Sequence, residues 1–596
     1  MTVPGPTPQP TITALGAAFR AGTLTPHRLL ADLADRIEER GADGVWISTV
    51  PRAGLLARAA ELEADPAAAA LPLYGIPFAV KDSLDVAQLP TTCACPDFAY
   101  HPTTSATVVR RLEAAGAVVV GKTNLDQFAT GLNGTRSPYG IPRSVYGADL
   151  VSGGSSSGSA VAVAAGLVPF AVATDTAGSG RVPAALNGIP GFKPSRGLIS
   201  TTGLVPACRS LDCVTLMAST VEDLRLVLDV AAEVDDEDPW SRPRVARRAP
   251  RPRIGLPPDA ELVFSDEPLR TAHRAATAAL DLVGPTRAVP LAPFLAAGDL
   301  LYAGPWVAER LVEFEDFLDR RPDSVHPVVA DILRSGRRHT AVDTFRAQQR
   351  LQELRAEVGR LWREVDVVVL PTVPGTFTVP EVLDDPVATN TVLGTYTHCG
   401  NLLDLCAVVV PAGTTTDGRP CSLMVLGPAL ADDVVLDVGA RLAALLGPPQ
   451  PVPSSVPSSP LVVVGHHLAG QPRNHELTDR GARLVETTCT DAGHRLLRID
   501  GSPPVPALLP SATGGGRIEV EVWDVPDDQL AGFLDLLPPV LVLGRVALAD
   551  GRTVPGLVCA PQVATGDSGH RTTDITATGG WRRHLDQIPG ALEETP

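Results

Sequence analysis

The sequence predicts an α/β architecture in a large N-terminal part, followed by a smaller C-terminal domain. Three observations carry this reading. Short β-branched runs at 117–120, 365–370 and 407–410 follow or precede amphipathic helical stretches, which is the pattern of a sheet with helices packed on it. The stretch 447–460, GPPQPVPSSVPSSP, can form neither helix nor central strand, because its prolines lack N–H donors and hold the backbone extended. Finally, 596 residues exceed what one hydrophobic core organises. The expected division is 1–446 for the main domain, 447–460 for a linker and 461–596 for the second domain.

The elements follow in order. Thr25 and Pro26 supply a cap and a first-turn proline, and Leu29, Leu30, Leu33 and Ile37 recur on one face, so an amphipathic helix starts there. Val108, Leu112 and Ala115 mark a second helix that stops near Gly116, ahead of the strand at 117–120. The segment 235–252, rich in Asp, Arg and Pro, reads as a surface excursion within the main domain. After the linker, the apolar run 461–464 opens a new buried strand.

Composition excludes several classes. A net charge of −17 is the wrong sign for nucleic acid, whose phosphates need clustered Lys and Arg. Residues 1–10 lack a basic segment followed by an apolar core, and no apolar run reaches the roughly 18 residues of a membrane span. Nine scattered cysteines fit a reducing compartment, so a cytoplasmic location is expected. Cys93 and Cys95 with His101 lack a second Cys/His pair at ligand spacing, so neither a metal nor a cofactor is expected.

The run 153–159, GGSSSGS, is followed directly by the apolar stretches 160–165 and, past Gly166, 168–174, so it is a turn locked against buried elements rather than a flexible linker, and it lacks the Gly-Lys-Ser/Thr ending of a phosphate loop. Ser179 stands between Gly178 and Gly180 just past a strand, where a tight turn can aim successive N–H groups at one point. Lys81 ends the apolar run 76–80; burial there disfavours its ammonium form and leaves a neutral amine able to act as a base. No histidine lies in these segments, which argues against a Ser-His-acid arrangement.

Together GIPFAVKD around Lys81, GGSSSGS around Ser155, DTAGSGR around Ser179 and GFKPSRG at 191–197 resemble the amidase signature family over roughly residues 10–445. Ser155 and Ser179 stand 24 positions apart, and Lys81 and Ser155 74, as in that family. The resemblance implies a mixed sheet covered by helices and a Ser–cis-Ser–Lys triad. Ser179 would be the nucleophile, Ser155 the proton relay on a cis peptide, and neutral Lys81 the base, with the N–H groups of Thr176, Ala177, Gly178 and Ser179 forming the oxyanion hole. Three departures stand out: Ala177 replaces a common glycine, which requires a negative φ; Gly180 replaces an apolar residue, which would loosen the turn; and Ser157 replaces the usual glycine, so the register of the cis-serine rests on the 24-residue spacing.

Further stretches resemble the allophanate hydrolase group of that family. They are LYAGPWVAER at 301–310, FATGLNGTRSPYG at 128–140 and, in the C-terminal domain, VVVGHHLAGQPRN at 462–474, EVEVWD at 519–524 and GGWR at 579–582. That likeness implies that Tyr302 and Arg310 hold the substrate, with Gly131 beside it. On one continuous helix Tyr302 and Arg310 would lie about 12 Å apart along the axis, so a bend is required. It implies hydrolysis of allophanate to ammonia and carbon dioxide through N-carboxycarbamate, in urea or s-triazine degradation. It also implies a γ-glutamylcyclotransferase-like mixed α/β fold for the C-terminal domain, which either decarboxylates the intermediate or organises a homodimer or docks a urea carboxylase. His466, His475 and Arg582 are the polar residues of interest there. The alternatives are a general amidase of another small amide and an ammonia-supplying component of an amidotransferase.

Overall fold

The computed structural model describes residues 10–302, 304–447, 458–478, 480, 482–501, 503–511, 513–565, 569–585 and 587. Residues 448–457, most of the expected linker, lie outside the described residues, as do residues 1–9 of the N-terminal stretch read above. Backbone contacts divide the chain into two compact units at 452/453.

The larger unit is built on an eleven-stranded mixed sheet. Across it the strands run Trp46–Thr49, Val118–Thr123, Pro77–Lys81, Phe170–Asp175, Cys213–Ala218, Gly191–Lys193, Cys406–Thr414, Pro420–Gly427, Val367–Pro371, Ile254–Leu256 and Thr286–Ala288. Pro77–Lys81 lies parallel to both of its neighbours, and all five of its residues are buried. A strand covered on both faces reads as a continuous apolar run, which is how PFAV appears in the sequence. Phe78 and Phe170 stack across the adjoining strands with ring centroids 5.1 Å apart.

The expected helices form. Pro26–Arg40 begins where Thr25 Oγ1 accepts the Arg28 N–H at 3.2 Å, and it buries Leu30 and Leu33. Thr107–Ala114 buries Val108 and Leu112 and is followed by Gly116 at φ +94°, after which the strand Val118–Thr123 starts. The segment 235–252 carries no helix or strand, but it is pinned: Arg242 pairs with Asp404 and Arg244 with Asp229 and Asp433. Among the described residues no helix is long and apolar enough to cross a membrane.

The smaller unit is a second mixed sheet of eight strands, ordered Arg483–Cys489, Glu519–Pro526, Ser458–Val463, Thr553–Cys559, Val505–Pro510, His494–Ile499 and Thr572–Asp574, with Leu541–Ala547 also on Thr553–Cys559. Leu461, Val462 and Val463 are buried in its core beside Val520, Val522 and Trp581.

Candidate active site

Lys81 ends one central strand, and Asp175 ends the parallel strand beside it. Ligands in open α/β sheets collect at the carboxyl ends of such strands. Between the two elements the chain turns through Gly154-Ser155, a cis peptide bond, into the helix Ser157–Ala164, every residue of which is buried. The small side chains of that helix let it sit close on the sheet, which brings Ser155 to the lysine. Lys81 Nζ lies 2.8 Å from Ser155 Oγ and 2.7 Å from Thr174 Oγ1. The lysine is fully buried, and desolvation brings its pKa down from 10.5 to about 7, although Asp126, Asp175 and Asp212 pull the other way.

The turn after Phe170–Asp175 is organised by the Asp175 carboxylate. It accepts the N–H groups of Gly178 at 2.7 Å and Gly180 at 3.0 Å, and it pairs with the guanidinium of Arg181 through Nε and Nη2, both at 2.9 Å. Gly178 has φ +131°, and a Cβ there would fall 2.2 Å from Thr397 Oγ1, so only glycine fits. Ala177 is absent from the positive-φ residues, as its side chain requires. Gly180 does not loosen the turn as expected: a side chain in its place would collide with Thr215, so the glycine permits close packing.

Ser179 is buried, and its carbonyl accepts the Ser156 N–H at 3.3 Å, which ties the cis-serine turn to it. Among the described residues the N–H groups of Thr176, Ala177 and Ser179 have no protein acceptor. The Gly178 N–H differs from the expectation in being committed to Asp175. Thr176 is anchored by its hydroxyl, which donates to Asp212 Oδ1 at 2.5 Å. Asp212 also accepts the N–H groups of Ala207 and Cys208, and burial raises its carboxyl to about 6.

The stretch 301–310 is not one helix. A first helix, Ala292–Tyr302, ends at the tyrosine, and a short one, Trp306–Glu309, begins after Gly304 and Pro305 and delivers Arg310. Ala303 lies outside the described residues. The break supplies the bend the sequence demanded. Tyr302 is half-buried, its ring 5.1 Å from that of His398. Arg310 is 3% exposed, and Nη1 donates to Thr130 Oγ1 at 3.0 Å. Among the described residues it has no carboxylate partner, unlike the equally buried Arg181. Glu309, the residue before it, accepts from Ser210 and Cys208 and so fixes the turn. Gly131, next to Thr130, has φ +157° and no room for a side chain against Asp126, whose own N–H donates to the Ser155 carbonyl at 3.1 Å. The loop 126–136 therefore joins the cis-serine turn at one end and Arg310 at Thr130.

In the smaller unit, Arg582 donates to Glu519 Oε1 at 3.0 Å, to Glu521 Oε1 at 2.7 Å and to the Ala469 carbonyl at 2.7 Å. His466 Nε2 lies 2.8 Å from the Pro504 carbonyl, which assigns its proton to that nitrogen and leaves Nδ1 buried without a partner. His475 is exposed, and its ring Nδ1 lies 2.9 Å from the local backbone carbonyl of Pro472.

Sequence reasoning missed the residues that hold these groups in place. Thr174 and Asp175 sit inside segments already singled out, and an Asp before a glycine-rich turn is itself a signal for N–H capture. Thr397, which donates to the Ala177 carbonyl at 2.9 Å, and Asn401, which donates to the Asp175 carbonyl at 2.7 Å, come from more than 200 positions away, and no local pattern marks them.

The family model "Amidase" matches residues 28–436, and "Allophanate hydrolase C-terminal domain" matches 459–586. A urea amidolyase of Saccharomyces cerevisiae is 37% identical over 94% of this chain, which spans 32% of that protein. The chain thus covers about a third of the length of the urea amidolyases it matches. A glutamyl-tRNA(Gln) amidotransferase component of Symbiobacterium thermophilum is 32% identical over 71% of the chain and 94% of that protein. The solved structure of Kluyveromyces lactis allophanate hydrolase superposes with TM-score 0.70 at 35% identity, covering 97% of this chain and 99% of that one.

Proposed function

We propose that this chain, which belongs to the amidase family, hydrolyses allophanate, the carboxylate of urea, by serine acyl transfer. One observation carries the choice of substrate: a buried guanidinium, Arg310, that makes no ion pair among the described residues, beside a nucleophile turn whose N–H groups have no acceptor among them. An unpaired buried charge is costly, and a planar carboxylate is the ligand that a guanidinium fork relieves best. The likeness to an allophanate hydrolase over 97% of the chain supports the same reading.

In this mechanism Ser179 Oγ attacks the terminal amide carbon, and its proton passes to Ser155 Oγ, whose own proton goes to Lys81. A lysine near 7 is neutral often enough to accept it at physiological pH. The oxyanion forms against the N–H groups of Thr176, Ala177 and Ser179, each good donor contributing about 3 kcal/mol to the transition state. Collapse expels ammonia, which takes the proton held by Lys81 through Ser155. Water then attacks the acyl-serine by the reverse relay, releasing N-carboxycarbamate and restoring the serine. Tyr302 and Arg310 hold the carboxylate, and Gly131 keeps the neighbouring wall free of a side chain.

The C-terminal unit takes N-carboxycarbamate onward by decarboxylation, with His466 Nδ1, one of its buried side-chain atoms without a partner, as the polar group for that step. The saturated partners of Arg582 favour a second reading, in which that unit is a scaffold for a homodimer or for a urea carboxylase acting one step earlier. Removing residues 455–596 separates them: accumulation of N-carboxycarbamate after the first ammonia supports decarboxylation, and joint loss of ammonia release and of the oligomer supports the scaffold. The substrate itself is tested by ammonia release from allophanate compared with malonamate, glutamine and aryl amides. Equal rates on all four would return the enzyme to a general amidase, and preference for glutamine to an ammonia supplier for an amidotransferase. The setting is a cytoplasmic pathway in which urea is carboxylated first.

A further inference from the structure

Two guanidiniums meet at Thr130. Arg310 Nη1 donates to its hydroxyl at 3.0 Å, and Arg136 Nη1 donates to its carbonyl at 2.9 Å. Arg136 is 1% exposed; its Nη2 donates to the Pro386 carbonyl at 2.7 Å, and its Nε is buried without an acceptor. Its protein partners are thus neutral carbonyls, and it forms no ion pair among the described residues. The acids nearby accept their hydrogen bonds from neutral donors, although Asp212 lies close enough to feel the charge of Arg310. Asp126 accepts the N–H groups of Gly134 and of Arg136 itself, Asp212 those of Ala207 and Cys208 together with the Thr176 hydroxyl, and Glu309 the groups of Ser210 and Cys208. A protein that buries a guanidinium normally supplies a carboxylate, as this one does for Arg181. Arg136 and Arg310 break that rule side by side.

The chemistry gives a reason for two positive charges. Allophanate carries one negative charge, its tetrahedral intermediate carries two, and N-carboxycarbamate leaves as a dianion. With Lys81 neutral at the start of the cycle, Arg310 matches only the first of these charges. We infer that Arg136 is a second fixed positive charge of the anion site, a positioning residue that never touches the substrate but acts through Thr130 and through its field to favour carboxylate-bearing amides. This rests on the reading of Arg310 as the carboxylate's partner. Inside a protein, where screening is weak, a charge one residue removed from the contact still counts.

The test uses the full chain with Arg136→Met and Arg136→Lys, and Arg136→Gln where the Met variant does not fold. Two quantities are measured: the Kd of malonate, a non-hydrolysable dianion shaped like the product, and kcat/KM for allophanate and for neutral malonamide. Arg136→Met is expected to weaken malonate at least tenfold and to lower kcat/KM on allophanate at least tenfold, mainly through KM, with at most a threefold loss on malonamide. Arg136→Lys should return malonate binding to within about fivefold of wild type. Unchanged malonate affinity, or equal losses on both substrates with no rescue by lysine, overturns the inference and leaves Arg136 a structural clasp. Wild-type enzyme that fails to prefer allophanate would sink the substrate reading instead, while malonate binding still decides the role of Arg136.

Discussion

In the amidase unit, Lys81, Arg310 and the N–H groups of Thr176, Ala177 and Ser179 have fewer partners among the described residues than they can use. In the C-terminal unit, Arg582 spends its donors on Glu519, Glu521 and a carbonyl, and His475 is bonded locally at the surface. Both regions hold the polar residues that stand out in the sequence. They differ in how far the fold has already satisfied them, His466 Nδ1 being an unpaired exception in the C-terminal unit. Buried polar groups are ordinarily paired, so incomplete pairing beside a glycine-rich turn marks where a ligand completes the set, and complete pairing marks architecture.

The sharpest way to break this comparison is at Ser179. Ser179→Ala should abolish ammonia release while costing under about 1 kcal/mol of stability, read by assay and thermal unfolding. More than a few per cent of residual activity would remove the serine from its role. Lys81→Ala should be comparably inactive, with small exogenous amines restoring part of the rate.

The lysine also sets a pH dependence. Because its folded pKa is about 7, against an ordinary 10.5, kcat/KM should fall as pH drops through about 7 and level off above it. The linkage to stability has the opposite sense from that of a paired lysine. Between about pH 7 and 10.5 the unfolded chain binds one more proton than the folded one, so this group's contribution to stability rises with pH across that window. A flat rate profile from pH 5 to 9 would show that another group is the base. The smallest effect on chemistry is expected at Arg582. Arg582→Ala leaves Glu521, 1% exposed, as a buried carboxylate without its cation, and should destabilise the C-terminal unit by about 3 kcal/mol. First-ammonia release should stay within twofold of wild type, measured on allophanate in single-turnover mode. A large loss of that release would erase the contrast between the two regions.

Much of this was legible in the sequence because its signals are local. The apolar run before Lys81, the Gly/Ser turn at Ser155 and the glycines around Ser179 each state a backbone requirement within a few residues, and the structure places Lys81 and Ser155 within hydrogen-bond distance. The break at Gly304 and Pro305 was legible only as a need for a bend. Gly180 was misread as slack, since the side chain that fills its space, Thr215, comes from another strand. The supports from Thr397, Asn401 and Asp212 depend on tertiary placement that no spacing rule carries.

The central claim is that an unpaired buried guanidinium reads the substrate's carboxylate, and Arg310→Ala tests it most directly. The measurement is the ratio of kcat/KM for allophanate over malonamide in wild type and variant. Leaving the anion without its fork should cost about 3–5 kcal/mol in transition-state binding, so activity on allophanate should fall by roughly two to four orders of magnitude while malonamide loses far less. Arg310→Lys should recover only part of the loss, because a point charge cannot make two parallel hydrogen bonds. A ratio that does not change between wild type and Arg310→Ala would contradict the account.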